Sequence, residues 1–147
     1  CQGFGARGVL ALKGMKLTRL KLRDLPMVDD SAMEVLKELP ELKRLDLHEN
    51  DSVSDFGLKN LESLQALEVL DIWAVPQMTD ATIDVIAALP NVKEPSIRST
   101  DVSDASIDKL LAMPKLQSLT LKENGLVTPE GLKKLSAKKW AKLDIGQ

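Results

Sequence analysis

The sequence is poor in the residues that most catalytic and metal sites use. It contains one cysteine, one histidine and no tyrosine. A single cysteine cannot form an internal disulfide, and it cannot supply the Cys-x-x-Cys spacing of structural zinc sites. A nucleophilic triad needs a histidine beside a nucleophile, and no serine or cysteine is clearly placed to meet His48. The sequence therefore predicts a non-enzymatic protein without a cofactor or a resident metal.

Charge and hydrophobicity set further limits. The 20 basic and 22 acidic residues give a formal net charge of −2, so no overall positive field favours binding to nucleic acid. No apolar run approaches the ~18 residues that a membrane span needs, and no signal peptide is recognisable. The 147 residues, 44% of them hydrophobic, suit one domain with a buried core. Composition leaves the cellular compartment undetermined.

An internal repeat is the dominant feature of the sequence. The segment 17–22 has the spacing Leu-x-x-Leu-x-Leu, and five later segments follow the same apolar spacing. Their last apolar residues fall at 22, 47, 72, 97, 121 and 145, which gives steps of 25, 25, 25, 24 and 24 residues. Alternating apolar residues are typical of a strand with one buried face. The spacing predicts about six units of 24 or 25 residues, each beginning with a strand.

A turn and a helix of about ten residues are predicted to follow each strand. Each helix begins at a residue that can cap its first turn. This residue is followed by an acid or proline that suits the helix N-terminus, and then by a small residue. The capping residues are Asp29, Ser54, Thr79, Ser103 and Thr128; the next are Asp30, Asp55, Asp80, Asp104 and Pro129; the small ones are Gly8, Ala32, Gly57, Thr82, Ser106 and Gly131. Strands that alternate with helices pair in parallel, and stacked units supply the core.

The repeat resembles leucine-rich repeats, in which Leu-x-x-Leu-x-Leu is followed three residues later by Asn or Cys. The stretches Val-Ser-Asp-Phe-Gly-Leu at 53–58 and Val-Thr-Pro-Glu-Gly-Leu at 127–132 are similar to the bacterial GALA-type or cysteine-containing class. That class is related to ribonuclease-inhibitor-like horseshoes and to F-box substrate receptors. The resemblance covers essentially the whole chain. It implies an α/β right-handed solenoid, a horseshoe arc with a parallel sheet on its concave face.

Three residues depart from the family pattern. In the family, the Asn or Cys side chain satisfies backbone groups of the turn, and Leu25 and Val75 cannot do this. We therefore expect looser turns at these two positions. Pro95 replaces a core leucine inside a strand, and because proline has no N–H we expect a local irregularity there.

The two ends of the chain differ from the inner units. Cys1 falls on the Asn/Cys position, so the chain begins in the middle of a unit. We interpret residues 1–147 as a single domain from a longer protein whose N-terminal portion is missing; the alternative is a lipid-anchored cysteine left by signal removal. Lys138, Lys139 and Trp140 replace the residues usual at their positions. Terminal repeats need a polar outer face, so a C-terminal cap near 138–147 is predicted.

Strand residues that point away from the core form three stripes across the repeats. The first is Arg19, Arg44, Val69, Glu94, Ser118 and Lys142; the second is Lys21, Asp46, Asp71, Ser96, Thr120 and Asp144; the third is Arg23, His48, Trp73, Arg98, Lys122 and Gly146. An aromatic residue among arginines is typical of interface hot spots. The alternative is that Trp73 merely packs over the next turn with Arg98 stacked on its ring. The predicted partner-binding residues are Trp73, His48, Arg98, Arg23, Lys122, Arg44 and Arg19.

These features favour a protein–protein interaction scaffold that binds a partner on the concave face as a monomer. The basic stripe permits a partner with an acidic surface and favours nucleic acid less. The family resemblance offers an alternative, the substrate-recognition arm of an effector or of an F-box-like ubiquitin-ligase adaptor, and a structural spacer is another. The acidic segment 48–52 could attract a cation, but its ligand spacing matches no known site. The repeated aspartates are interpreted as helix caps rather than as catalytic groups.

Overall fold

A computed structural model describes residues 16–23 and 29–146. The predictions for Cys1, Gly8 and Leu25 lie outside these residues. Six strands of the described residues form one parallel sheet in chain order. They are β1 (Arg19–Arg23), β2 (Arg44–His48), β3 (Val69–Trp73), β4 (Glu94–Arg98), β5 (Ser118–Lys122) and β6 (Lys142–Ile145). The predicted strands and their parallel pairing are therefore confirmed.

The pairing register places equivalent residues of successive units side by side. Leu22 of β1 pairs with Leu47 of β2, and Leu47 pairs with Ile72 of β3. These side chains are 2% exposed or less, and they belong to one continuous core with apolar helix residues such as Leu61 and Ile86. Each column of the repeat is thus a row across the sheet, and neighbouring units bury each other's apolar side chains.

The helical segments are shorter and tighter than predicted. They are seven to nine residues long rather than about ten, and three of the five contain 3-10 turns. The segments are Ala32–Glu38, Asp55–Leu58 continued by Lys59–Ser63, Asp80–Ala87, Asp104–Ser106 continued by Ile107–Leu111, and Pro129–Ser136. A 3-10 turn holds fewer residues per turn, and the strand and two turns take up the rest of each unit. None of the described helices is long and apolar enough to cross a membrane.

Four of the five predicted helix caps are present, whereas the helix that begins at Ala32 has Ser31 at its N-cap position, without a side-chain cap. The side-chain oxygens of Ser54, Thr79, Ser103 and Thr128 each accept a hydrogen bond from a backbone N–H in the first helical turn. In the first described unit, Asp29 accepts from the N–H groups of Ser31 at 3.0 Å and Ala32 at 3.4 Å. Each cap satisfies an amide that the helix itself leaves without a partner.

The aspartates after the capping residues link one unit to the next. Asp30 accepts hydrogen bonds from the Ser54 N–H at 2.7 Å and from the Ser54 hydroxyl at 2.6 Å. The same pair of bonds, from the backbone N–H and hydroxyl of the next unit's capping residue, recurs along the chain. These pairs, here named the aspartate ladder, are Asp30–Ser54, Asp55–Thr79, Asp80–Ser103 and Asp104–Thr128. The sequence predicted contacts within each helix; the observed partners lie one unit further along.

The aspartate ladder also explains the column of small residues. A Cβ atom on Gly57 would lie 2.5 Å from Asp30 Oδ1 and 2.7 Å from Asp30 Cα. Where the column has a hydroxyl, the hydroxyl joins the ladder: Thr82 donates to Asp55 at 2.5 Å, and Ser106 donates to Asp80. Only small residues fit at this position of the repeat, because a carboxylate of the preceding unit occupies the adjacent space.

In the turns after β2, β3, β4 and β5, the residue that follows the strand has a positive φ of 55–58°. Asn50 and Asn124 each donate through Nδ2 to a backbone carbonyl one unit back, both at 3.0 Å, as the family resemblance implies. The residue before Val75, Ala74, has φ 56°, within a degree or two of its counterparts in the other turns. The looser turn predicted at Val75 is therefore wrong, because the buried valine fills the same space with apolar contacts.

Two further sequence departures have visible consequences. β4 pairs with β3 over five residues but with β5 only from Ser96 onward. Pro95 has no N–H to donate, so the expected irregularity is confirmed on the β5 side of the strand. Trp140 donates through Nε1 to the Leu135 carbonyl at 2.6 Å, packs against the core, and lies 5.0 Å beneath the Lys138 ammonium. Trp140 therefore packs at the end of the core, and the cap near 138–147 stays a prediction.

Candidate functional site

The three outward stripes lie on the sheet face opposite the helices, here named the open face. The register aligns Arg23 with His48, His48 with Trp73, Trp73 with Arg98, and Arg98 with Lys122. The third stripe is therefore a continuous row of side chains across five strands. It has one large aromatic residue, at β3.

Trp73 is held between two guanidinium groups. The Arg23 guanidinium lies 5.9 Å from the centroid of the indole ring, and the Arg98 guanidinium lies 5.7 Å from it. These distances suit cation–π attraction. The His48 ring meets the indole edge-on, with centroids 5.8 Å apart and planes at 83°. The ring is only half-buried, so this packing fixes its orientation while part of its surface stays exposed.

Each cation of this row also lies against a carboxylate. Arg23 Nε is 3.1 Å from Glu49, Lys122 Nζ is 2.8 Å from Asp144, and Arg98 Nη2 is 3.7 Å from Asp71. These pairs neutralise much of the positive charge expected from the sequence. Exposed ion pairs contribute only about 0–1 kcal/mol, so their main effect is to orient the side chains.

His48 lies in this row but is largely covered. Its residue surface is 8% exposed, and Nε2 lies 3.0 Å from Asp71 Oδ2. Arg44, in the first stripe, donates from Nε to Asp46 Oδ2 at 3.2 Å. Arg19 is exposed and pairs in register with Arg44. The structure therefore brings Trp73, His48, Arg98 and Arg23 into contact, whereas Arg19, Arg44 and Lys122 lie around them.

Three side chains of the kinds that bind metal ions converge next to Trp73. Asp46, His48 and Asp71 offer ligand atoms that all lie within 4.8 Å of one another. The sequence predicted no metal site, because Asp46 and His48 belong to two different stripes and Asp71 belongs to the next unit. The sequence did contain one indication of this cluster: the second and third stripes are adjacent, which places these residues side by side.

Several carboxylates elsewhere have lowered pKa values with structural causes. The hydrogen bond from Lys93 holds the pKa of Glu68 below its ordinary value, and the hydroxyl of Thr128 does the same for Asp104. For Asp80, burial raises the pKa, but hydrogen bonds from Ser103 and Ser106 outweigh it, so the net change is downward. Perturbed groups often mark active sites, but here each binds a donor of the fold itself.

Comparisons with known proteins agree with this architecture. No protein-family model matches the sequence. Tsukushi from Gallus gallus, a leucine-rich repeat protein, is 31% identical over 115 residues, which are 77% of this chain and 30% of Tsukushi. A chain in the crystal structure of the Rad7 and Elc1 complex in yeast has a TM-score of 0.77 at 18% identity, covering 96% of this chain and 37% of that chain. The protein thus has a leucine-rich-repeat-like fold and spans about a third of these two chains.

Proposed function

We propose that this chain is a non-enzymatic protein-interaction module that binds its partner on the open face, which we take to be the concave face of the arc. The observation that carries the proposal is the position of Trp73 between Arg23 and Arg98. A partly exposed indole whose orientation is already fixed loses little conformational entropy when it enters a partner's pocket. Tryptophan and arginine are also the residues enriched at interface hot spots.

The partner proposed for this face has an acidic surface. Arg23 and Arg98 lie against carboxylates of this same chain, those of Glu49 and Asp71. A partner's carboxylate could replace Glu49 beside Arg23 with little energetic loss, because that pair is exposed and such pairs contribute about 0–1 kcal/mol. Lys122 and Arg44 would extend the contact along β5 and β2, and Arg19 would extend it at the β1 edge. We propose that His48 acts indirectly, by supporting the indole edge from below.

The test is capture of the partner from the native host, using the parent chain and single variants. Trp73→Ala and Arg98→Ala are each expected to lower capture of the same protein by at least about tenfold, the effect of a 1.4 kcal/mol hot-spot contact. Phe56→Ala is the matched control, because Phe56 is an aromatic residue, 81% exposed, on the helix that begins at Asp55. Capture that is unchanged in both open-face variants would contradict the proposal.

The fold comparison supports an interaction role without distinguishing its biological setting. The substrate-recognition arm of an effector or ubiquitin-ligase adaptor, the structural spacer and the GALA-type class stay predictions. An adaptor would carry an F-box-like helical segment elsewhere in the full reading frame. We further propose that the chain binds as a monomer, which light scattering coupled to size-exclusion chromatography measures directly.

A further inference from the structure

Two aspartates face each other in neighbouring strands of the open face. Asp46 of β2 pairs in register with Asp71 of β3, and Asp46 is only 7% exposed. Like charges directly opposite each other destabilise a sheet, and a buried charge is costly unless it is paired. The fold therefore needs positive charge at this point.

The protein's own cations compensate these carboxylates only in part. Arg44 occupies Asp46 Oδ2 at 3.2 Å. Arg98 Nη2 is 3.7 Å from Asp71 Oδ1, which is longer than a hydrogen bond. Lys21 lies beside Asp46 in β1, but its side chain is exposed.

Two carboxylate oxygens of this pair, Asp46 Oδ1 and Asp71 Oδ1, have no hydrogen-bond donor among the described residues. Asp46 Oδ1 is out of contact with solvent and accepts no hydrogen bond from any described residue. An unsatisfied buried carboxylate oxygen destabilises the fold more than a neutral buried group left without a partner. A cation between the two strands would remove that cost and the repulsion between the aspartates together.

We propose that Asp46 Oδ1, His48 Nε2 and a carboxylate oxygen of Asp71 bind one divalent transition-metal ion of the zinc class. Asp46, His48 and Asp71 each offer a ligand atom within 4.8 Å of the other two, and His48 Nε2 is 3.0 Å from Asp71 Oδ2. Tetrahedral zinc with bonds of about 2.0–2.2 Å requires ligand atoms roughly 3.3–3.6 Å apart. Small side-chain movements therefore complete the site.

The donor set determines the kind of metal. An imidazole nitrogen suits Zn²⁺ and its neighbours, whereas Mg²⁺ and Ca²⁺ prefer oxygen ligands throughout. Arg44, which donates to the second oxygen of Asp46, matches the outer-shell donors that orient ligating carboxylates, and Arg98 adds a nearby positive charge at Asp71. Their charges also oppose the ion, so binding is weaker than at a four-ligand structural site. Three protein ligands leave a fourth position for a small ligand on the open face.

The test uses Zn²⁺ alone and does not depend on any partner. Isothermal titration of the tag-free chain at pH 7 is expected to give one site per chain, in a Cys1→Ser background that removes its only thiol. His48→Gln and Asp71→Asn are each expected to weaken Zn²⁺ binding by more than the roughly 10–100-fold that loss of an outer-shell partner causes. Asp51→Asn is the matched control, since Asp51 is an exposed acid of the segment 48–52 outside the three ligands, and it is expected to leave the affinity unchanged.

A stability measurement provides a second readout. Zn²⁺ is expected to raise the midpoint of thermal unfolding of the parent chain but not that of His48→Gln, because a ligand that binds only the folded state stabilises it. Circular dichroism establishes that each variant is folded. Absence of a saturable site, or a site retained in both His48→Gln and Asp71→Asn, overturns the proposal. Displacement of Zn²⁺ by a tenfold excess of Mg²⁺ or Ca²⁺ overturns the assignment to a transition metal.

Discussion

Replacement of Asp80 by alanine tests the aspartate ladder at a central position. Asp80 accepts hydrogen bonds from the Ser103 N–H at 2.9 Å, from the Ser103 hydroxyl at 2.5 Å and from the Ser106 hydroxyl. All three donors belong to the next unit. The capping residue of the Asp80 helix, Thr79, keeps its own bond to the Ala81 N–H in the variant. The substitution therefore separates the stacking of units from the capping of a helix.

The expected loss of stability follows from these three bonds. A hydrogen bond to a charged group contributes about 1.5–3 kcal/mol, and we count the bond from the Ser103 amide in full. The two hydroxyls can rotate toward water, and we count them at about 0.5 kcal/mol each. Asp80→Ala should therefore lower the free energy of unfolding by about 2.5–4 kcal/mol. Urea denaturation at pH 7 measures this value.

The matched control is Asp84→Ala on the same helix. Asp84 is exposed and forms a surface ion pair with Lys109, which is expected to contribute about 0–1 kcal/mol. If the two variants lose the same stability, the ladder bonds have no special energetic weight and the reasoning fails.

The pH dependence of stability offers an independent check on Asp80. Its pKa in the folded chain lies below the ordinary value of 3.8, so its ionised form favours folding. That contribution is fully present above pH about 4 and is lost as the pH falls through the folded-state pKa. The parent chain should therefore lose more stability than Asp80→Ala when both are acidified from pH 5 to pH about 3. Parallel profiles would show that the carboxylate is not selectively stabilised in its ionised form.

Two further substitutions test local packing. Gly57→Ala should destabilise the chain by about 1–3 kcal/mol, because the new Cβ meets Asp30 at 2.5–2.7 Å. Thermal unfolding measures the loss of stability. Gly125→Ala is the control and should change stability little, since no atom lies within 4 Å of a Cβ at that position. Ala74→Gly should raise the free energy of unfolding by up to about 1 kcal/mol, because Ala74 has φ 56°, where glycine avoids a steric cost. Ala74→Val should lower it, and equal stability of the two variants in urea would contradict the strain at this turn.

Local features of the sequence predicted the fold well. The apolar spacing around Leu45 and Leu70 is a property of consecutive residues, so the strands and their register followed from it directly. The capping serines and threonines were equally predictable, since the amide that Ser54 accepts from lies two residues away, at Phe56. Helix length was overestimated because the apolar spacing continues past the last helical residue, as at the buried Leu64 after Ser63.

Contacts between units were harder to predict. The ladder bond from Ser103 to Asp80 joins residues 23 positions apart. To predict it, the aspartate of one unit has to be compared with the capping residue of the next unit. The burial of His48 depended on where Trp73 and Asp71 direct their side chains. Likewise, Arg23 could have pointed to several neighbours, and its pairing with Glu49 is a choice of rotamer that no spacing rule determines.

The departures from the repeat indicate where this solenoid is specialised. A contact that serves only stacking recurs in every unit, because every unit meets an equivalent neighbour; the ladder and the caps behave in this way. Trp73, Val75 and Pro95 each break their own column, and all three lie between β3 and β4 or within them. Stacking does not require Trp73, since His48 and Arg98 occupy the same row in the adjacent strands. The repeat alone therefore does not explain the Trp73 indole and the neighbouring pair of aspartates on the open face. For that reason we propose both the partner-binding surface and the metal site in this region.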